Sequence, residues 1–97
     1  MSKRKSAKFD SDGIDDLAQD KPVVYKLLNS KGENVYTGSS KKGQVGDRIK
    51  DHLPGGSDPI PGVKKVQIEP HSRIAEAQES EARIISRSKP KHNKRGT

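Results

Sequence analysis

Alternation of apolar and polar positions predicts a β-hairpin in the first half of the chain. Residues 23–38 have the sequence VVYKLLNSKGENVYTG, in which two β-forming runs flank the turn-forming segment NSKG. If the turn has an even number of residues, four residues share one face of the hairpin: Tyr25, Leu27, Tyr36 and Gly38. Two tyrosines side by side are either ordinary core residues or a chemical pair, and the hairpin alone leaves both interpretations open.

A short amphipathic helix is predicted over residues 44–53, QVGDRIKDHL. Val45 and Ile49 belong to its apolar stripe, and Arg48 and His52, four residues apart, are adjacent on the flank of that stripe. The acidic neighbours of Arg48 permit a surface ion pair. The helix by itself therefore does not distinguish a structural arginine from a functional one.

A third strand and a longer helix are predicted after a loop rich in proline and glycine. Residues 63–70, VKKVQIEP, alternate as a strand does. A helix is then expected from an N-cap at Ser72 to a stop before Pro90. The predicted order of elements is strand, strand, helix, strand, helix.

A carboxylate lies against the apolar stripe of the longer helix. The stripe consists of alanines and isoleucines: Ile74, Ala75, Ala77, Ala82, Ile84 and Ile85. Glu81 follows Ile74 by seven residues and precedes Ile84 by three, which places it at the margin of the face that packs on the domain. A carboxylate there is costly unless a cation meets it. Glu81 is therefore either a partner in an ion pair, for example with Arg48, or a ligand of a divalent metal.

Both ends of the chain are strongly polar. Residues 1–20 have a basic start followed by five aspartates, which favours a flexible charged tail ahead of a folded domain at residues 21–93. Ile14 and Leu17 offer an alternative, in which one amphipathic turn docks on the domain. Residues 94–97 are expected to form a basic C-terminal tail.

Composition limits the class of protein and of partner. The chain has 97 residues, of which 27% are apolar, and this fits one small domain with a thin core. Twenty Lys and Arg against thirteen Asp and Glu give a formal charge of +7, which favours a nucleic-acid partner over a role in solubility alone. Six cations are the candidates for phosphate contacts: Lys41, Lys42, Arg83, Arg87, Lys89 and Lys91. For the cations from Arg83 onward, the alternative is a flexible charged tail.

Several classes of site and location are disfavoured. Cysteine is absent, which excludes disulfides, thiolate zinc sites and thiol catalysis. The chain has no apolar run long enough to span a bilayer, and its start lacks the apolar core of a signal peptide. A cytoplasmic protein without a membrane partner is expected.

Taken together, these residues resemble the GIY-YIG nuclease domain, which occurs in repair nucleases, homing endonucleases and some restriction enzymes. The resemblance rests on five features in the family's order: a first-motif tyrosine, a second-motif tyrosine and glycine, an arginine with a histidine four residues later, a glutamate, and a Pro-x-x-Asn ending. Their positions are Tyr25, Tyr36, Gly38, Arg48, His52, Glu81, Pro90 and Asn93. The first motif keeps only its tyrosine, and Ser39 stands where several repair-type members have a lysine.

The resemblance implies an α+β fold with a small three-stranded antiparallel sheet flanked by helices, in the order β-β-α-β-α. It also implies a metal-dependent endonuclease that hydrolyses DNA phosphodiester bonds by a single-metal mechanism with Mg2+ or Mn2+. The catalytic side chains implied are Tyr25, Tyr36, Arg48, His52 and Glu81. Glu81 would hold the metal, Tyr25 would help to activate water, and Arg48 would clamp the scissile phosphate. Tyr36 and His52 would orient water or phosphate, and Gly38 and Asn93 would support the site.

Two other functions stay open at the level of sequence. The first is a nucleic-acid-binding module with a degenerate GIY-YIG fold and little or no cleavage. The second is an interaction domain whose positive charge serves solubility only. Because 97 residues hold no separate recognition module, substrate specificity would come from a partner protein, an oligomer or the shape of the substrate.

Overall fold

Four strands form one antiparallel sheet in the computed structural model, which describes residues 5–17 and 20–90. The elements in chain order are β1 (Lys5–Lys8), α1 (Ser11–Asp15), β2 (Val23–Asn29), β3 (Asn34–Ser40), α2 (Val45–Lys50), β4 (Val63–Pro70) and α3 (Ile74–Ser88). The order of strands across the sheet is β1-β4-β2-β3. The α+β class and the predicted sequence of the later elements are confirmed.

The hairpin of β2 and β3 has the predicted register. Tyr25 lies opposite Gly38 and Leu27 opposite Tyr36, so the two tyrosines share a face of the sheet. A β-bulge follows Leu27. The turn is stabilised by the Asn29 side chain, whose Oδ1 accepts hydrogen bonds from the backbone N–H groups of residues 31 and 33.

The sheet has four strands where three were expected, because the N-terminal segment joins it. Lys5–Lys8 pairs with β4 as an edge strand, and α1 follows it. Ile14 is fully buried and Leu17 is 5% exposed. The prediction of a tail over residues 1–20 is therefore wrong for residues 5–17, and the docked amphipathic turn is what forms. The mean hydropathy of residues 5–17 is low, but burial of Ile14 and Leu17 and backbone pairing with the edge of β4 stabilise this segment on the domain.

The main core lies on the face of the sheet that carries the tyrosines. Its buried apolar residues come from α1 and the segment just after it, α2, β2, β4 and the loop before β4: Ile14, Leu17, Val23, Tyr25, Leu27, Val45, Ile49, Ile60, Val66 and Ile68. On the opposite face α3 packs on β3 and β2. Successive strand residues point to opposite faces, so Val24 and Thr37, both buried, lie under α3 with Ala77.

The bounds of the helices differ in detail from those predicted. The N-cap of α3 is the extended residue Arg73 and not Ser72, and no side chain caps it. The predicted stop before Pro90 is confirmed, since Lys89 takes the left-handed conformation with φ 47° and donates its N–H to the Ile85 carbonyl. Two alanines of the predicted stripe are exposed, Ala75 and Ala82, because α3 rests on the sheet through Ala77 and Ser80.

The second helix is shorter than predicted. It ends at Lys50, and His52 and Leu53 lie in the turn that follows. Within the described residues, no helix has the length and apolarity required to cross a membrane. Residues 1–4 and 94–97, for which tails were predicted, lie outside the described residues.

Candidate active site

Three aromatic side chains cluster at one end of the tyrosine face. The ring centroids of Tyr25 and Tyr36 are 6.2 Å apart with an interplanar angle of 26°. The His52 ring lies 4.6 Å from that of Tyr36 and 5.9 Å from that of Tyr25. The pairing register of β2 and β3 therefore brings the two tyrosines together, and the turn after α2 adds the histidine.

A chain of hydrogen bonds runs through the His52 imidazole. Its Nδ1 lies 3.0 Å from the carbonyl oxygen of Asp58, and its Nε2 lies 3.1 Å from the Tyr25 hydroxyl. A carbonyl oxygen only accepts, so Nδ1 carries the proton. In the neutral imidazole, Nε2 then has a free lone pair and accepts the hydrogen bond that the Tyr25 hydroxyl donates.

The loop after α2 holds the imidazole in this orientation. The Asp58 N–H donates to the Asp51 carbonyl, and the Ile60 N–H donates to the His52 carbonyl. These bonds fold residues 54–62 back onto the end of α2, and His52 is 5% exposed as a result. Sequence reasoning treated this segment only as a loop. A backbone carbonyl such as that of Asp58 has no residue-type signature by which it could be found.

Gly38 leaves room for the Tyr25 phenol. A Cβ at residue 38 would lie 2.5 Å from the Tyr25 hydroxyl oxygen and 2.6 Å from Cζ. Both distances are far below van der Waals contact. Only glycine allows the two strands to carry the tyrosine ring against the backbone of β3.

Glu81 is oriented by a serine from β3. The Ser39 hydroxyl donates a hydrogen bond of 2.6 Å to Glu81 Oε1, and both residues are half-buried. Of the two interpretations of Glu81, the ion pair with Arg48 does not form among the described residues. Ser39 was missed as a site residue because its position was compared only with the lysine that other proteins carry there.

Electrostatic interactions connect the tyrosines to Glu81 and Arg48. Burial raises the pKa of Tyr25 well above its ordinary value of 10.0, the nearby Tyr36 raises it further, and so does Glu81, while the Arg48 guanidinium lowers it. Burial is also the largest cause of the raised pKa of Tyr36. The carboxylates of Asp58 and Glu81 raise this pKa further, and the Arg48 guanidinium lowers it. Arg48 and Glu81 therefore both act on the two tyrosines, and His52 contacts both tyrosine rings.

Arg48 lies at the open side of the cluster. It is exposed on α2 and lines a shallow cleft of about 240 Å³ together with Ser39 and Lys41. The cleft continues to Gln78 on α3. Lys41 therefore shares this cleft with Arg48, and the exposed Lys42 follows it in the same loop.

The other predicted phosphate contacts lie elsewhere. Arg83 and Arg87 line a different groove on the far flank of α3. Lys89 is exposed at the end of that helix. Lys91 and Asn93 lie outside the described residues, so their expected roles stay predictions.

The donor set fits a hydrated magnesium-type ion. Among the described residues, no group of three or more His, Cys, Asp or Glu side chains is arranged as a metal cage. Mg2+ commonly binds through only one or two carboxylates, with water and substrate phosphate filling its other positions. A half-buried carboxylate with one oxygen hydrogen-bonded to Ser39 and the other available meets that requirement.

The fold of this chain is similar to that of a solved structure. No protein-family model matches the chain, and neither does any curated protein sequence. The structure is similar to the crystal structure of the GIY-YIG N-terminal endonuclease domain of UvrC from Thermotoga maritima bound to its catalytic divalent cation, magnesium. The TM-score is 0.62 and the identity 24%, over 79% of this chain and 88% of that one. The chain therefore has the fold of a GIY-YIG endonuclease domain.

Proposed function

We propose that this protein is a metal-dependent endonuclease domain that hydrolyses DNA phosphodiester bonds. The observation that carries the proposal is the hydrogen-bonded chain from the Tyr25 hydroxyl through His52 to the Asp58 carbonyl, next to the Ser39–Glu81 pair. The GIY-YIG fold supports it, because the similar UvrC domain is an endonuclease solved with magnesium.

Tyr25 and His52 together form a path for the proton of the attacking water. The Tyr25 hydroxyl gives its proton to Nε2 of His52, and the phenolate takes a proton from the water. The imidazolium keeps its Nδ1–H on the Asp58 carbonyl, so it does not need to rotate. Because burial disfavours a free Tyr25 phenolate, an acceptor at hydrogen-bond distance is what the reaction requires.

Glu81 provides the position for a divalent cation. A Mg2+ or Mn2+ ion held there supplies positive charge for the leaving 3′ oxygen and a non-bridging oxygen. Ser39 keeps the carboxylate in one orientation through its hydrogen bond to Oε1. This fixes where the second carboxylate oxygen lies relative to the tyrosines.

Arg48 and Tyr36 bind the scissile phosphate. The planar guanidinium of Arg48 donates two parallel hydrogen bonds to phosphate oxygens, and its exposed position on the cleft makes it accessible to DNA. The half-buried Tyr36 ring, packed on His52, presents its hydroxyl to the phosphate or the water. Lys41 adds charge at the mouth of the cleft.

The test is nicking of supercoiled plasmid in Mg2+, in Mn2+ and in chelator. We expect nicking only with metal, and a loss of at least about 10²-fold in Glu81→Gln, since removal of one transition-state stabilising group has that effect. Glu79→Gln is the matched control, because Glu79 lies on the same helix and is exposed. It should nick at the wild-type rate.

Two results would contradict the proposal. The first is no nicking under any condition. The second is a Glu81→Gln protein as active as the Glu79→Gln control.

A second candidate function is nucleic-acid binding without cleavage. The observation that favours it is the burial of Tyr25, which is 1% exposed and whose raised pKa keeps the phenol protonated. Salt-sensitive DNA binding without nicking in any metal would select this function.

A further inference from the structure

A second concave surface lies between α3 and β4, on the face of the sheet opposite the tyrosines. It is a groove of about 300 Å³. Polar and charged side chains make up much of its wall: Lys26, Gln67, Glu69, Ser80, Arg83 and Arg87. Hereafter it is called the α3–β4 groove.

The described wall of the groove carries more positive than negative charge: three cations, Lys26, Arg83 and Arg87, against the one carboxylate of Glu69. These three cations form no ion pair within the described part of the chain, and the carboxylate of Glu69 lies 3.2 Å from His71 Nε2. Arg83 and Arg87 are four residues apart on α3, an arrangement in which like charges repel each other. Three cations that share one groove and repel one another form a site for a polyanion.

The groove is separate from the candidate active site. Successive helical residues are about 100° apart, so Arg83 lies about 160° around α3 from Glu81 and Arg87 about 120°. A helix with its side chains is about 10 Å thick, which corresponds to about three nucleotides along one strand of DNA. One nucleic-acid molecule can therefore reach both surfaces.

We propose that the α3–β4 groove is a second phosphate-binding site. It holds the backbone of the nucleic-acid substrate at least about three nucleotides from the bond that is cut, through Lys26, Arg83 and Arg87. This inference rests on the proposed function for the identity of the ligand. Gln67 and the nearly buried Ser80 add hydrogen-bond donors to the groove.

The experiment measures binding without cleavage. A fluorescent DNA duplex of about 20 base pairs is titrated with the full chain in chelator, and the logarithm of the binding constant is plotted against the logarithm of the salt concentration. The test variant is Lys26→Gln/Arg83→Gln/Arg87→Gln. The control has the same net charge and changes three exposed cations outside the groove: Lys8→Gln, Lys31→Gln and Lys64→Gln.

We expect the slope of the test variant to be lower by about 2.7, since each phosphate contact contributes about 0.9. The control should leave the slope nearly unchanged, because its three cations lie outside the groove. Arg87→Gln alone should lower the slope by about 0.9, and it answers the same question if the triple variant does not fold. Equal slopes for test and control variants overturn the proposal.

Two further outcomes are informative. If the triple variant loses binding to vesicles of anionic phospholipid while its DNA slope is unchanged, the groove serves a membrane surface and the proposal is overturned. Plasmid nicking by the wild type is scored separately. If the slope is lower in the test variant but the wild type does not nick plasmid, the phosphate-binding groove is supported and the proposed nuclease function is contradicted. If the wild type nicks plasmid but the test and control variants have equal slopes, the nuclease function is supported and the groove proposal is overturned.

Discussion

At the scale of single residues, the site depends on a buried phenol next to an imidazole. The Tyr25 hydroxyl contacts His52 Nε2 at 3.1 Å, and the space above the ring exists because residue 38 is glycine. Burial that disfavours the phenolate also excludes water from the hydrogen bond, which strengthens it. The same burial has a measurable consequence for stability.

We expect stability to depend on Tyr25 at high pH. Its pKa is raised in the folded state, so the folded protein keeps a proton that the unfolded chain loses above about pH 10. The contribution is complete below that pH and is lost as the pH rises further. The free energy of unfolding of the wild type should therefore fall by up to about 1.4 kcal/mol per pH unit more than that of Tyr25→Phe.

Urea unfolding at several values between pH 9 and pH 11 measures this difference. Ionisation of the lysines is common to both proteins and cancels in the comparison, so the difference reports the coupled tyrosine pair. Parallel curves for wild type and Tyr25→Phe would show that Tyr25 does not have a raised pKa.

A second prediction at this scale concerns Ser39. Its hydroxyl donates to Glu81 Oε1 at 2.6 Å, and loss of such an orienting group commonly costs about 10-fold to 100-fold in metal affinity or activity. In Ser39→Ala, the Mg2+ concentration that gives half-maximal nicking should rise by about that factor. Ser30→Ala, in the exposed hairpin turn, is the control. An unchanged metal requirement in Ser39→Ala would contradict the orienting role.

At the scale of elements, the N-terminal strand and helix are part of the domain. The Asp10 side chain caps α1 by accepting a hydrogen bond of 2.7 Å from the Gly13 N–H, and Lys50 of α2 pairs with Asp15 at 2.6 Å. β1 also covers the edge of β4. An exposed edge is a site for unwanted strand pairing, so the segment protects the sheet as well as adding to its core.

We expect Ile14→Ala to destabilise the protein by about 2–5 kcal/mol, because Ile14 is fully buried in the main core. Asp15→Ala, the next residue along α1, removes only a surface ion pair and should cost less than about 1 kcal/mol. Chemical unfolding of both variants gives the two values. Nearly equal and small losses would mean that α1 does not pack on the domain in solution.

At the scale of the whole molecule, the apolar core and the proposed metal ligand lie on different elements. The apolar core joins α1, α2, β2 and β4, whereas Glu81 is on α3 and accepts a hydrogen bond from Ser39 of β3. In the proposed function Glu81 is the one carboxylate that would hold the metal, so a bound cation would not organise the fold.

Removal of divalent metal should therefore leave the protein folded. At a cation concentration equal to Kd, binding stabilises the folded state by only about 0.4 kcal/mol, which corresponds to about 2–3 °C in Tm for a domain of this size. Thermal unfolding in chelator and in Mg2+ measures the shift. A loss of cooperative unfolding in chelator would show that the metal is structural.

Much of the site could be predicted from the sequence because its signals are local. The period-two pattern and the turn residues of 23–38 determined the register, which in turn placed Tyr25 against Gly38. Helical spacing predicted that Arg48 and His52 lie on the same side of their helix. The position of Glu81 at the margin of the apolar stripe of the longer helix indicated either an ion-pair partner or a metal ligand. These features depend on residues that are neighbours along one element.

Only the tertiary structure decided the rest, because those contacts join distant segments. The docking of residues 5–17 depends on a free edge of β4, which no local pattern reports. The bonds from Ser39 to Glu81 and from His52 to the Asp58 carbonyl depend on how α3 and the loop after α2 fold back. The sequence by itself determined which groups are present and which share a strand or helix. The packing of those elements decided which groups meet, because interactions between distant segments form only when the sheet and helices assemble.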